Sequence, residues 1–251
     1  MYQYVSRDAL SGVRSCCSDL INQLKQRINN DGELEVTAYL VGSGARNMVT
    51  QNANEPIDLD YNLEILSPHF PGWEWDGRRI KEYIKEQFDD ILCANNWGYC
   101  RDSTSVLTTA QRSLQGVRFS IDLAILRQDS LGYHRLIHDK TGSTDRDQWY
   151  WNQVPYSQGL DKRVKQLKEC HLWNEVRDAY LDKKNLYLRR QEQEQHPSFN
   201  VYIEAVKEVH HKYFSSYYTL APAQVCSSDM WTVGCPLKTA AGRYQNAWNS
   251  F

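Results

Sequence analysis

The sequence predicts an α/β (α+β) protein: a small mixed, twisted sheet with flanking helices, followed by a helical C-terminal domain. Three observations predict it. Residues 57 to 65 alternate strictly between apolar and polar, the signature of a half-buried strand. Apolar residues recur at helical spacing on either side of that strand. Beyond Tyr156 the texture turns charged and helix-prone.

From Ser6 to Asn29, the positions Leu10, Val13, Cys17, Leu20, Ile21, Leu24 and Ile28 form one helical stripe, which ends near Asn30-Asp31-Gly32. Leu34 to Val41 is rich in β-formers and runs into Gly42-Ser43-Gly44. Ala45 to Thr50 suits a short helical turn, and Gln51 to Pro56 reads as a loop. In the strand that follows, Ile57, Leu59, Tyr61, Leu63 and Ile65 share one face; Asp58, Asp60, Asn62 and Glu64 share the other. Glu64 is read there as surface.

A Pro/Gly/Trp loop, 67–75, precedes a helix predicted over 77–94, with Ile80, Tyr83, Ile84, Phe88, Ile91 and Leu92 as its apolar stripe. Strands are predicted over 104–109, 117–126 and, more weakly, 133–139. Leu160 to Arg190 and Phe199 to Tyr213 are helix candidates, and the tail from Leu220 reads as irregular. The organisation is therefore an α/β core over 1–155 and a helical domain over 156–251, with the boundary near 152–158.

Composition narrows the function classes. The 251 residues suffice to bury a real core. No stretch is apolar and long enough to span a membrane, and the N-terminus lacks a signal-peptide pattern, so a cytoplasmic protein is expected. Seven cysteines without a C-x-x-C pair point to reduced thiols. A formal net charge of −2 provides no broad field for long nucleic acids and suits a compact substrate such as a nucleoside triphosphate.

The chemistry is carried by three acids. Asp58 and Asp60, two apart on a strand, project from the same face. Asp122 interrupts the apolar run Phe119-Ser-Ile-Asp-Leu-Ala-Ile125 on the polar face of another strand. Strands disfavour aspartate. Two carboxylates about 4 Å apart repel by roughly 4 kcal/mol at an effective dielectric near 20, so such a cluster calls for solvent, protons or a cation. Magnesium, a hard ion that shares its shell between carboxylates and phosphates, is the natural answer. Upstream, Val41-Gly42-Ser43-Gly44 lies between a strand and a helical turn, where glycines let the backbone approach a phosphate.

Strand, Gly-Ser, short helix, strand with Asp-x-Asp, then a later strand aspartate: this order resembles the nucleotidyltransferase superfamily with the polymerase-β-type core. The matching residues are Gly42-Ser43, Asp58-Leu59-Asp60 and Asp122, and the likeness spans residues 34 to 126. The gap from Ser43 to Asp58 is slightly longer than is commonest in that family, an excess the loop 51–56 can absorb. The resemblance implies that Asp58 and Asp60 bridge two magnesium ions (or manganese), and that Asp122 completes one site and helps deprotonate the acceptor. Gly42 and Ser43 would hold the β- and γ-phosphates. The implied activity is transfer of a nucleoside monophosphate from an NTP, such as ATP, to an acceptor hydroxyl or second nucleotide, with release of pyrophosphate. A small molecule, a nucleotide, an RNA end or a protein can each serve as acceptor.

Three other basic or aromatic features have two readings each. Arg46 suits a phosphate contact or a surface salt bridge. Lys165 and Lys168, in the basic run with Lys162 and Arg163, suit the triphosphate or a solvated helix face. Tyr150, between Trp149 and Trp151, suits base stacking or a packed domain junction. His210-His211 and Cys16-Cys17 lack partners at zinc spacing. Two competing functions remain: a nucleotide-binding regulator without turnover, and an antitoxin-like interaction protein on the same fold.

Overall fold

The computed structural model describes residues 1–68, 76–143, 145–154 and 159–215. The chain forms two compact units, Met1–Tyr156 and Ser157–Phe251. The first opens with β1 (Tyr2–Tyr4) and the long helix α1 (Arg7–Asp31). Ser6 caps α1 by accepting a hydrogen bond from the Ala9 amide at 3.3 Å, and Gly32 ends it in the left-handed conformation. Then come β2 (Leu34–Leu40), α2 (Gly42–Ala45), β3 (Thr50–Asn52) and β4 (Ile57–Pro68). Helix α3 (Gly77–Ala94) starts at Asp76, whose carboxylate accepts from the Arg78 and Arg79 amides. Short strands β5 (Arg101–Asp102), β6 (Leu107–Thr108) and β7 (Arg112–Leu114) lead into β8 (Val117–Asp129), β9 (Gly132–Asp139) and β10 (Gln148–Gln153).

The main sheet runs β10-β9-β8-β4-β2, with β6 and β7 also paired to β8 and β5 paired to β6. Every one of these pairings is antiparallel except β4 with β8. A parallel pair needs a crossover between its strands, and α3 lies on that connection. The two-residue period sends Leu59, Tyr61 and Leu63 of β4, with Ile121, Leu123 and Ile125 of β8, into one core with the apolar stripes of α1 and α3. Asp58, Asp60 and Asp122 are thereby left on the opposite face.

The second unit holds α4 (Leu160–Glu169), α5 (Trp173–Arg190) and α6 (Ser198–Phe214). Helix α6 packs on both others through Val201, Tyr202, Ala205, Val206 and Val209. Among the described residues, no helix is long and apolar enough to cross a membrane.

Several details depart from the sequence expectations. The span 160–190 is two helices, broken where His171 adopts a positive φ of 58° and the Leu172 amide turns back to the Leu167 carbonyl at 2.9 Å. Of the strand expected over 104–109 only β6 forms, and it pairs back on β5, which lies before that range. The aromatic run Trp149-Tyr150-Trp151 is the edge strand β10: Trp149 and Trp151 pack against the core and Tyr150 points to solvent. Glu64, expected at the surface, is buried, and its carboxylate accepts a hydrogen bond from Tyr39 at 3.2 Å. Cys16, Cys17, Cys93 and Cys100 are free thiols. The irregular tail from Leu220 and most of the loop 67–75 lie outside the described residues.

Candidate active site

Strands β4 and β8 run in parallel register, so Asp60 is the direct partner of Asp122 and Asp58 of Ser120. The Asp58 carboxylate accepts from the Ser120 hydroxyl. On the other side of β8, β6 brings Thr108 opposite Asp122, and the Thr108 hydroxyl donates to Asp122 Oδ1 at 2.7 Å. Three carboxylates thus occupy neighbouring positions on one face of two hydrogen-bonded strands.

The Gly42 loop is tied to the same strand. The Val41 amide donates to the Asp60 carbonyl at 2.8 Å. Gly42 sits at φ +65°, and a Cβ there would strike Asp60 Oδ2, so both the backbone conformation and the close approach require glycine. From α1, Arg14 straps the loop down by donating to the Gly44 carbonyl and, at 2.7 Å, to Asn47 Oδ1. Ser43 is half-buried, and its carbonyl accepts from the Met48 amide at 3.0 Å.

Electrostatics records the crowding. Burial, then the charges of Asp122 and Asp58, push Asp60 up from 3.8 to about 6, against the pull of Arg135 and Arg46. Asp122 is also raised: burial and the Asp58 charge outweigh the Thr108 hydrogen bond and Arg101. Asp58, Ser120, Thr108, Asp122, Arg101 and Tyr99 line a cleft of about 600 Å³. All the acidic donors are oxygen, and Asp60 lies against bare backbone, an arrangement that fits a hard divalent cation. Among the described residues, no three Asp, Glu, His or Cys side chains stand ready-made as a metal cluster. Two of the three aspartates are instead engaged by hydroxyls.

The remaining sequence candidates fall in different places. Arg46 is the C-terminal cap of α2 and is half-buried, close enough to stabilise the Asp60 charge. Lys165 and Lys168 lie exposed on α4 in the second unit, with the Lys168 ammonium 5.0 Å from the centre of the Trp173 ring. Tyr150 is exposed on β10, opposite Ile137.

No protein-family model and no curated protein matches the chain. Solved structures do. E. coli MS115-1 CdnC with ATP aligns with a TM-score of 0.53 at 15% identity, over 84% of this chain and 62% of that one. The CdnC:HORMA-deltaN complex aligns at 0.50 and 17%, over 82% and 61%. The chain shares the fold of these CdnC structures, with its small mixed sheet of the nucleotidyltransferase type. It spans less than two thirds of the length of the CdnC chains that share this fold with it.

Sequence reasoning missed four residues around the three acids. Ser120 had a signal: it shares the polar face of its strand with Asp122, two residues on. Thr108, Arg101 and Arg135 had none, because only strand pairing and side-chain reach bring them to the acids.

Proposed function

We propose that the protein is a magnesium-dependent nucleotidyltransferase that moves a nucleoside monophosphate from an NTP to an acceptor hydroxyl. The observation that carries this reading is the in-register pairing of Asp60 with Asp122, beside Asp58 and against the Gly42 loop. Asp58 and Asp60 would hold two magnesium ions, with Asp122 as a further ligand to one, and manganese can substitute. Bound there, the ions neutralise the triphosphate and make the acceptor hydroxyl more acidic. Ligation is compatible with the hydroxyl contacts of Asp58 and Asp122, because each hydroxyl engages Oδ1 and leaves Oδ2 for a metal, while the register already holds Asp60 beside Asp122.

The chain's own residues supply the rest. Gly42 and Ser43 hold the β- and γ-phosphates through backbone amides and the Ser43 hydroxyl, with Arg46 adding positive charge nearby. Asp122 takes up the acceptor proton as the acceptor oxygen bonds to the α-phosphorus. The bond from that phosphorus to the bridging oxygen breaks and pyrophosphate leaves. Catalysis here is chiefly positioning and charge neutralisation.

The test is direct. Purified protein is incubated with each NTP and magnesium, and released pyrophosphate and nucleotide-bearing product are measured with and without chelator. Chelator-sensitive release is expected. Nucleotide binding without release from any NTP would replace this reading with that of a silent regulator on the same fold.

A further inference from the structure

A second group of charges is buried outside the three aspartates. Lys81 on α3 is 2% exposed, and its ammonium lies 2.7 Å from Asp102 Oδ1. It donates to the Ser103 carbonyl at 2.9 Å and the Thr104 carbonyl at 3.4 Å. His138 on β9 bridges two carboxylates, with Nδ1 2.7 Å from Asp102 Oδ2 and Nε2 3.1 Å from Asp147 Oδ2. Its ring stacks on Trp149 at 4.2 Å between centroids, and Asp147 is fixed by the Thr141 amide at 2.8 Å. Lys140 donates to the Asp102 carbonyl, and the His138 amide donates to the Thr104 carbonyl at 2.7 Å.

These contacts converge on one hairpin, β5–β6. Its own ladder is slender, with only Arg101↔Thr108 and Asp102↔Leu107 in register. Such a short ladder holds poorly by itself, and the buried ions grip its turn and first strand from α3 and β9. A buried ion pair is a weak source of stability compared with apolar packing of equal volume, so geometric definition is the better account of its presence. The second strand of the hairpin carries Thr108, whose hydroxyl holds Asp122 and lies 3.4 Å from the Ser103 hydroxyl.

We infer that Lys81, Asp102 and His138 form a positioning network that fixes the 101–108 hairpin and, through Thr108, aims the Asp122 carboxylate. The inference rests on the nucleotidyl-transfer reading for the purpose of that aim. None of the three residues touches the acids; they act through Thr108.

Three full-length variants test it: Lys81→Met, Asp147→Asn as the milder lesion at the far end of the network, and Lys81→Arg as the conservative control. Hydrogen exchange is followed in residues 101–109, Mn2+ binding by electron paramagnetic resonance, and NTP turnover in parallel. Lys81→Met should speed exchange in the hairpin, weaken Mn2+ binding about tenfold, and lower kcat by a similar factor at unchanged KM. Asp147→Asn should do the same more weakly, and Lys81→Arg should recover most of the loss. Unchanged hairpin exchange overturns the network outright. So does faster exchange with wild-type Mn2+ affinity and kcat, which marks the cluster as structural only and leaves the reaction proposal standing. Wild-type protein that neither binds Mn2+ nor releases pyrophosphate overturns the reaction proposal itself, and the aim assigned to the network falls with it.

Discussion

Asparagine at position 60 keeps the shape of the side chain and removes its charge. In the folded chain the Asp60 carboxyl is raised from 3.8 to about 6 by burial and by the charges of Asp122 and Asp58. A folded value above the unfolded one means that the native state binds the proton more readily between those two pH values. Stability contributed by the neutral form is therefore present below pH 4 and lost as pH rises through about 6. Above that, the ionised carboxylate costs the fold about 3 kcal/mol in full, or about 1–3 kcal/mol once its partial exposure is counted. Urea unfolding in chelator should show Asp60→Asn more stable than wild type by that amount at pH 7.5, with the gap closing toward pH 4. The same variant should release no pyrophosphate. Magnesium should stabilise the wild type more than the variant, because only the former keeps the full ligand set. A variant less stable than wild type at pH 7.5, or a gap that ignores pH, would refute the reasoning.

Other substitutions separate the roles. Asp122→Ala should spare triphosphate binding while turnover collapses, read as retained nucleotide affinity in calorimetry beside lost pyrophosphate release; equal loss of both contradicts its role. Gly42→Ala, forced into a left-handed φ and against Asp60 Oδ2, should cost about 1–3 kcal/mol in a thermal melt and remove activity. Ser43→Ala removes one hydrogen bond to phosphate, about 0.5–1.5 kcal/mol, and should raise the KM for NTP by no more than about tenfold.

Much of the frame is legible in the sequence because burial imposes periodicity. The alternation of 57–65 gives β4 its two faces, and the stripe from Ile80 to Leu92 gives α3 its bounds, Gly77–Ala94. Elements too short to repeat a pattern are not legible. β5 and β6 have two residues each, and β10 alternates through only three aromatic residues between polar flanks. The helix break at His171 depends on a left-handed residue that propensity does not announce. Glu64 follows the alternation onto the polar face, yet it is buried with Tyr39 as its donor, because period reports direction and not cover. At the site, period puts Asp58 and Asp60 on one face. That Asp122 lies beside Asp60 is a matter of strand order and register, which sequence alone leaves open. Thr108 reaches Asp122 through a further antiparallel pairing, and Lys81 hides inside an amphipathic helix beside its apolar stripe.

The convergence of Asp58, Asp60 and Asp122 on divalent cations is tested most directly by diffraction from crystals soaked with manganese and a non-hydrolysable NTP. Anomalous peaks ligated by all three carboxylates, with the triphosphate running to Gly42 and Ser43, are the predicted result. Manganese bound elsewhere, with none of the three carboxylates in its shell, would contradict it.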